Sequence, residues 1–443
     1  MSDIHKMVII KKSSVIYSKK GKLKRIKPMQ VKSFKCLLCE KIEVENIIVF
    51  PETPLANSLS SRKDKQNKQK FYPLNLGLCK ECGHVQLTYI VPPSILFKDY
   101  PYLSNSNNET ASRFSKLAEE INLNFLNKDQ KFALEIGSND GYLLSLFRLN
   151  NWQVLGVDPS ENAANLANSK GITTITSFFS KNLARKIHKN FGQPDIIIAN
   201  NVLAHTNKMR DIFKGIELLM GDNTLFIMEF SYVLDVFEKL LFDTIYHEHM
   251  SYHSINSLSK FLSNFDLQIV DVTRFNAHGG SARIYVKKYK KNLIPNQKVN
   301  DLQAIEQSSG LATKKAWLQF EGRLGQLKQS INNELDKIFN DGKSIIGFGV
   351  PAKFTTLFHV LGLNENHFKY IVDDNPLKHG KLAPGTNLEI YPIKKLISEK
   401  PDFVFIFSWN YQDEISKRIW SDNLVNYGVI IPLPELLVMY KNS

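Results

Sequence analysis

Short apolar runs alternate with amphipathic stretches along this chain, and their order predicts most of its architecture. Lys131 to Ile136 reads as a buried strand with an acidic end at Glu135. Gly137-Ser138-Asn139-Asp140-Gly141 follows, then an apolar helix through Leu149 and a second strand, Val154 to Val157, closed by Asp158. Pro194 to Asn201 and Thr224 to Met228 read as further strands, the second ending at Glu229. A helix over Ile255 to Phe265 precedes strands Leu267 to Arg274 and Ala282 to Val286. Residues 295–340 are mainly helical, with Trp317, Phe320, Leu324, Leu327, Ile331, Leu335 and Ile338 stepping by three and four along one core-packing stripe. Ser344 to Lys353 opens a second strand–turn–helix unit. Its next strand, Tyr370 to Val372, ends at Asp373-Asp374, and Pro401 to Phe407 is another buried strand. Repeated βαβ units predict an α/β chain with two Rossmann-like domains.

At 443 residues the chain is too long for one core. The pattern divides it into a basic leader (1–33), a small cysteine-bearing module (34–100), an α/β domain (101–290), a helical connector (291–340) and a second α/β domain (341–443). Hydrophobic content of 43% suits a folded protein, and no apolar run approaches the ~18 residues of a membrane span. Without a secretory signal, a cytoplasmic location is expected. The net charge of +14 suggests nucleic acid until its distribution is read. Residues 1–35 carry +10 and the run Arg62 to Lys70 another +4, which leaves the body about neutral. The excess therefore reads as a solvated tail and loop rather than a nucleic-acid surface, and a monomer is expected.

All four cysteines fall in two pairs, Cys36-x-x-Cys39 and Cys79-x-x-Cys82. That spacing fits a tetrahedral Zn²⁺ held by four thiolates, a closed and structural site; disulfides or a redox dithiol are the alternatives. In the first βαβ unit, Glu135, Gly137, Asn139, Asp140 and Gly141 place a glycine-rich turn at a helix N-terminus, with Asp158 ready to accept ribose hydroxyls. The spacing departs from Gly-x-Gly-x-x-Gly, so an adenosine ligand without a pyrophosphate fits better. S-adenosylmethionine is the common one, and its amino-acid end would lie near Asn200. Another nucleotide remains the alternative. Gly347-x-Gly349-x-x-Ala352 is a weak dinucleotide pattern, which keeps an NAD-dependent oxidoreductase open.

The densest chemistry lies in Tyr246-His247-Glu248-His249-Met250-Ser251-Tyr252-His253. Ser251 stands where a zinc protease would need its second histidine, and His249 with His253 lacks a third ligand nearby. Acid/base chemistry is the better reading. Further on, His278-Gly279-Gly280-Ser281 and Arg283 form a tight turn that could engage a phosphate.

In combination these stretches resemble the deoxysugar C-methyltransferases of bacterial nucleotide-sugar pathways, over about residues 34–435. The resemblance is carried by both cysteine pairs, Pro54-Leu55-Ala56-Asn57, Tyr72-Pro73-Leu74, Tyr100-x-Tyr102, Glu135 to Gly141 and Tyr246 to His249. It extends through His278 to Ser281, Gly349-x-x-Ala352-Lys353, Asp373-x-Asn375-Pro376-x-Lys378-x-Gly380 and Pro384-Gly385-Thr386. It implies a zinc module, a class I methyltransferase domain and a C-terminal Rossmann-like domain that binds or covers a nucleotide-linked sugar. It also implies methyl transfer from S-adenosylmethionine to a ring carbon beside the keto group of an NDP-4-keto-deoxysugar. His249 is then the base, Glu248 orients it or relays its proton, Tyr246 hydrogen-bonds the sugar and Tyr102 closes the pocket. Glu229, the His278–Ser281 turn, Arg283 and Lys353 would contact the substrate. Phe348 departs from the small residue the resemblance leads one to expect.

Overall fold

The computed structural model describes residues 34–61, 69–96, 108–125, 128, 130–422 and 424–440. The basic leader, most of the lysine-rich run and Tyr102 lie outside the described residues. The N-terminal module supplies strands β1 (Val44–Val49), β2 (Ser60–Ser61), β3 (Asn75–Cys79) and β4 (Val85–Leu87). The next domain supplies β5 (Phe132–Ile136), β6 (Gln153–Asp158), β7 (Thr174–Thr176), β8 (Ile196–Asn200), β9 (Leu225–Ser231), β10 (Ser251–Tyr252), β11 (Leu267–Phe275) and β12 (Ser281–Lys288). The last supplies β13 (Ile345–Phe348), β14 (Phe368–Val372), β15 (Lys381–Leu382), β16 (Ile390–Tyr391), β17 (Phe403–Ile406), β18 (Gly428–Ile431) and β19 (Leu437–Tyr440).

The central sheet runs β11-β12-β9-β8-β5-β6-β7, all strands running one way except β12, which is antiparallel to both β9 and β11. Apart from Glu135, the buried positions of its inner strands β5 and β8 are apolar, because helices cover both faces. The order reverses between β5 and β8, and the ends of these two strands form the crevice where a Rossmann-like sheet binds its ligand. The C-terminal sheet runs β16-β14-β13-β17-β18-β19, parallel except for β19. This is the class I methyltransferase arrangement with a second Rossmann-like domain.

The connector is two helices, Gln297–Ser309 and Lys314–Asn340, parted at Gly310 (φ 71°). All seven residues of the stripe are buried. The segment read as helix through Phe265 ends its α-helical part at Leu262 and finishes as a 3₁₀ turn, Ser263–Phe265.

The N-terminal module shares its strands with both neighbours. Its sheet, β1-β3-β4-β10, takes β10 from the methyltransferase domain, and β2 pairs with β15 of the C-terminal domain. One apolar core runs from Cys36 to Leu433 without a break between modules.

The two Rossmann-like units repeat one another at their turns. Gly137 N–H donates to Val157 O at 2.7 Å, and Gly349 N–H to Val372 O at 2.7 Å. Asp158 accepts from Asn139 and Ser160 N–H, just as Asp373 accepts from Val350 and Asn375 N–H. The copies differ in that Lys378 Nζ lies 2.9 Å from Asp373 Oδ2 and donates to Val350 O. An ammonium therefore already occupies the acid of the second turn. No helix among the described residues is long and apolar enough to cross a membrane.

Candidate functional site

The cysteine pairs come together as their spacing predicts. Two tight turns, with Glu40 (φ 62°) and Gly83 (φ 74°) in the left-handed region, fold the knuckles back on each other. The four sulfurs lie within 4.8 Å of one another, Cys36 Sγ 3.6 Å from Cys82 and Cys39 Sγ 3.5 Å from Cys79. Tetrahedral Zn²⁺ with bonds of about 2.3 Å needs sulfurs about 3.8 Å apart, so the donor set fits. The separations are too long for disulfides. The thiol of Cys82 beside Cys36 pulls the Cys36 thiol down to about 5, whereas burial raises Cys79 to about 11. Sulfurs forced to share charge in this way are suited to a cation among them.

At the other pole of the site, the Gly137–Gly141 turn opens the helix Tyr142–Arg148. Gly137 has φ 72°, and a Cβ there would stand 2.3 Å from Val202 Cγ2. Asp158 carries a structural duty that the sequence does not reveal. Its Oδ2 accepts Asn139 N–H at 2.9 Å and its Oδ1 accepts Ser160 N–H at 2.8 Å, so each oxygen keeps one lone pair for a ligand. Glu135 is buried, and that burial, with the charges of Asp158 and Asp140 beside it, holds its carboxyl well above the usual range. Glu135 Oε2, Ser138 Oγ, Asp140 Oδ1 and both amide atoms of Asn200 have no partner among the described residues. Buried polar atoms gathered without partners at a glycine turn fit a polar ligand such as S-adenosylmethionine.

The histidine-rich stretch divides by destination. His247 Nε2 meets Pro73 O at 3.2 Å, and His253 stacks on His84, so both serve contact with the N-terminal module. His249 goes elsewhere. Its Nδ1 lies 2.9 Å from Thr244 O, which can only accept, so the proton sits on Nδ1. Nε2 is left as an acceptor, 3.0 Å from Tyr246 Oη. Burial holds the imidazole well below its usual range, hence neutral. The expectation that Glu248 orients His249 needs correction: both ring nitrogens are occupied, and neither partner is Glu248. Burial raises the Glu248 carboxyl to about 7.

One loop joins the glycine turn to His249. Val202 packs beneath Gly137, Ala204 O accepts Met250 N–H at 2.7 Å, and the His205 ring stands edge-on to His249 at 4.9 Å. The sequence reading missed His205. Its only signal was its position five residues beyond the polar end of β8.

Among the expected substrate contacts, the structure separates two groups. Lys353 Nζ donates to His278 O at 3.0 Å and lies 5.3 Å from the Trp409 ring, and its charge reaches His249. His278 and Gly279 thus line the same region. Glu229 and Arg283 instead hold each other at 2.8 Å, with Arg113 and Asn201 also on the Glu229 carboxylate. Both charges are engaged inside the sheet, so neither is a free phosphate or sugar contact. The Ser281 hydroxyl donates to Ala277 O. Gly280 is required because a Cβ would strike Asp235 at 2.2 Å, which makes it a packing glycine.

Family models match in three consecutive blocks. They are described as "Putative zinc binding domain" over residues 36–97, "Methyltransferase domain" over 110–272 and "C-methyltransferase C-terminal domain" over 276–434. The fold and the two poles therefore define an S-adenosylmethionine-binding methyltransferase with a zinc-binding domain. The last of these blocks, residues 276–434, is similar to the C-terminal domain of C-methyltransferases. The C-methyltransferase NovU of Streptomyces niveus is 29% identical over 413 residues, covering 92% of this chain and 97% of that protein. A magnesium protoporphyrin IX methyltransferase from Synechocystis, solved with bound S-adenosylhomocysteine, is 15% identical and covers 42% of this chain and 89% of its own (TM-score 0.32). An S-adenosylmethionine-dependent methyltransferase from Clostridium acetobutylicum is 12% identical, with coverage of 44% and 96% (TM-score 0.32).

Proposed function

We propose that the chain methylates a ring carbon beside the keto group of a nucleotide-linked 4-keto-deoxysugar, with His249 as the base. The observation that supports this most strongly is the neutral imidazole. Its Nδ1–H is fixed on Thr244 O and its Nε2 lone pair lies beside Tyr246 Oη, one loop away from the cofactor turn. A hydrogen on such a carbon is removed only when the resulting enolate is stabilised. As the Tyr246 hydroxyl turns from Nε2 to the oxygen that gains charge, Nε2 is freed to take the proton, and the Lys353 ammonium supplies a second donor to that oxygen. Glu248, with its carboxyl near 7, relays the proton onward. Bound S-adenosylmethionine supplies the electrophilic methyl group. Glu135, Asp140, Asp158 and Asn200 hold it at the glycine turn. The C-terminal domain covers the sugar nucleotide.

Mass spectrometry after incubation with S-adenosylmethionine and a panel of NDP-4-keto-6-deoxysugars tests this directly. The expected product is one methylene heavier. In His249→Ala it is lost by a factor of about 10² or more, with S-adenosylmethionine binding retained. Full turnover by that variant would remove His249 from the base role.

A further inference from the structure

The carbonyl that fixes His249 belongs to the middle one of three consecutive residues, and the C-terminal domain holds both of the others. Asp243, Thr244 and Ile245 lie in and just after the 3₁₀ turn Phe242–Thr244. Thr244 O accepts the Nδ1–H of His249 at 2.9 Å. On one side, Asp243 is fully buried and its Oδ2 accepts the indole Nε1–H of Trp409 at 2.6 Å. On the other, Ile245 O accepts the hydroxyl of Thr356 at 2.8 Å, from the helix Phe354–Leu361. Trp409 and Thr356 both come from the domain that contributes Lys353.

We propose that the Trp409–Asp243 and Thr356–Ile245 contacts form a clamp by which the C-terminal domain sets the tautomer and position of His249. Trp409 and Asp243 are thus positioning residues. The inference rests on the reading of His249 as the base.

Asp243 joins the clamp to the rest of the site. Its Oδ1 has no hydrogen-bond partner among the described residues, and the charge of Lys353, together with the Trp409 indole on Oδ2, offsets the cost of burying it. Trp409 also packs against two of the expected substrate contacts. Its ring lies below Lys353 Nζ at 5.3 Å, and a Cβ on Gly279 would come within 3.2 Å of its Cη2. If the clamp loosens, Thr244 O drifts from Nδ1. The imidazole can then carry its proton on Nε2, where it has no lone pair for the substrate. Misplacement of a catalytic group by about 1 Å costs up to about 10²-fold in rate.

The test uses the full zinc-loaded chain labelled with ¹⁵N-histidine, with the His249 signal assigned by its loss in His249→Gln. Wild type should show a single Nδ1–H tautomer. Trp409→Phe, which keeps the ring but removes the donor, should show a tautomer mixture, and its kcat on the NDP-4-keto-6-deoxysugar panel should fall about 10-fold or more at unchanged KM. Thr356→Val, a smaller change that leaves the Trp409 contact intact, should shift both readouts in the same direction, so the clamp stays testable if the tryptophan variant folds poorly. A His249 spectrum identical to wild type in whichever variants fold overturns the clamp. A shifted spectrum supports it whatever the turnover shows, whereas full turnover by His249→Gln overturns the base reading alone.

Discussion

Among single residues, environment separates two acid–base groups that the sequence places side by side. His249 is neutral because burial penalises the imidazolium, so it stays a competent base well below the usual histidine range. Glu248 is displaced the other way, to about 7, because burial penalises its carboxylate. In a pH profile of kcat, the inflection near neutrality therefore belongs to Glu248. Activity should fall as pH drops through about 7, where the carboxylate becomes protonated and can no longer accept a proton. Glu248→Gln should abolish that inflection and lower the plateau by about 10-fold, measured between about pH 5.5 and 8.5. An inflection that persists unchanged in this variant would assign it to another group and take Glu248 out of the relay.

Among elements, the sequence was most legible where one physical cause acts alone. The stripe from Trp317 to Ile338 obeys helical periodicity, and all of it is buried; the strands at Phe132–Ile136 and Gln153–Asp158 follow from apolar runs punctuated by glycine. The cysteine pairs were legible because four thiolates at that spacing have few alternatives. What stayed hidden depends on contacts distant in sequence. Glu229 and Arg283 look like site residues until β9 and β12 pair and place one on the other. His205 looks like any loop histidine until its ring meets His249. Gly137 shows how closely the elements are coupled. Alanine there would suffer from a positive φ and would push Val202, and with it the loop that carries His205. Gly137→Ala should cost on the order of 2 kcal/mol or more in stability and weaken S-adenosylmethionine binding at least about 10-fold, read by calorimetry. Wild-type affinity in a folded variant would show that the turn does not bear on the cofactor.

Across the whole molecule, the metal site and the reaction site are mechanically joined though they share no residue. β3 ends at Cys79, and the turn that carries Cys82 leads into β4, where Leu87 N–H donates to Met250 O at 2.9 Å. Met250 N–H in turn donates to Ala204 O, so the residue after His249 bridges the zinc-bearing sheet and the loop beneath the cofactor turn. His84, two positions beyond Cys82, reaches Ser251 Oγ at 3.1 Å, and Pro73 O holds His247. The histidine stretch is thus tied to the N-terminal module on both sides of His249. Without a cation the four sulfurs lose the bonds that tie the two knuckles to each other. Stripping the metal with a chelator, or Cys82→Ser, should therefore lower the thermal midpoint and reduce kcat by about 10-fold or more, although no thiolate touches substrate. Readdition of Zn²⁺ should restore both in the chelated protein and not in the variant. If kcat survives metal loss in protein that remains folded, the N-terminal sheet is only an attachment, and His249 owes its position to the C-terminal domain alone.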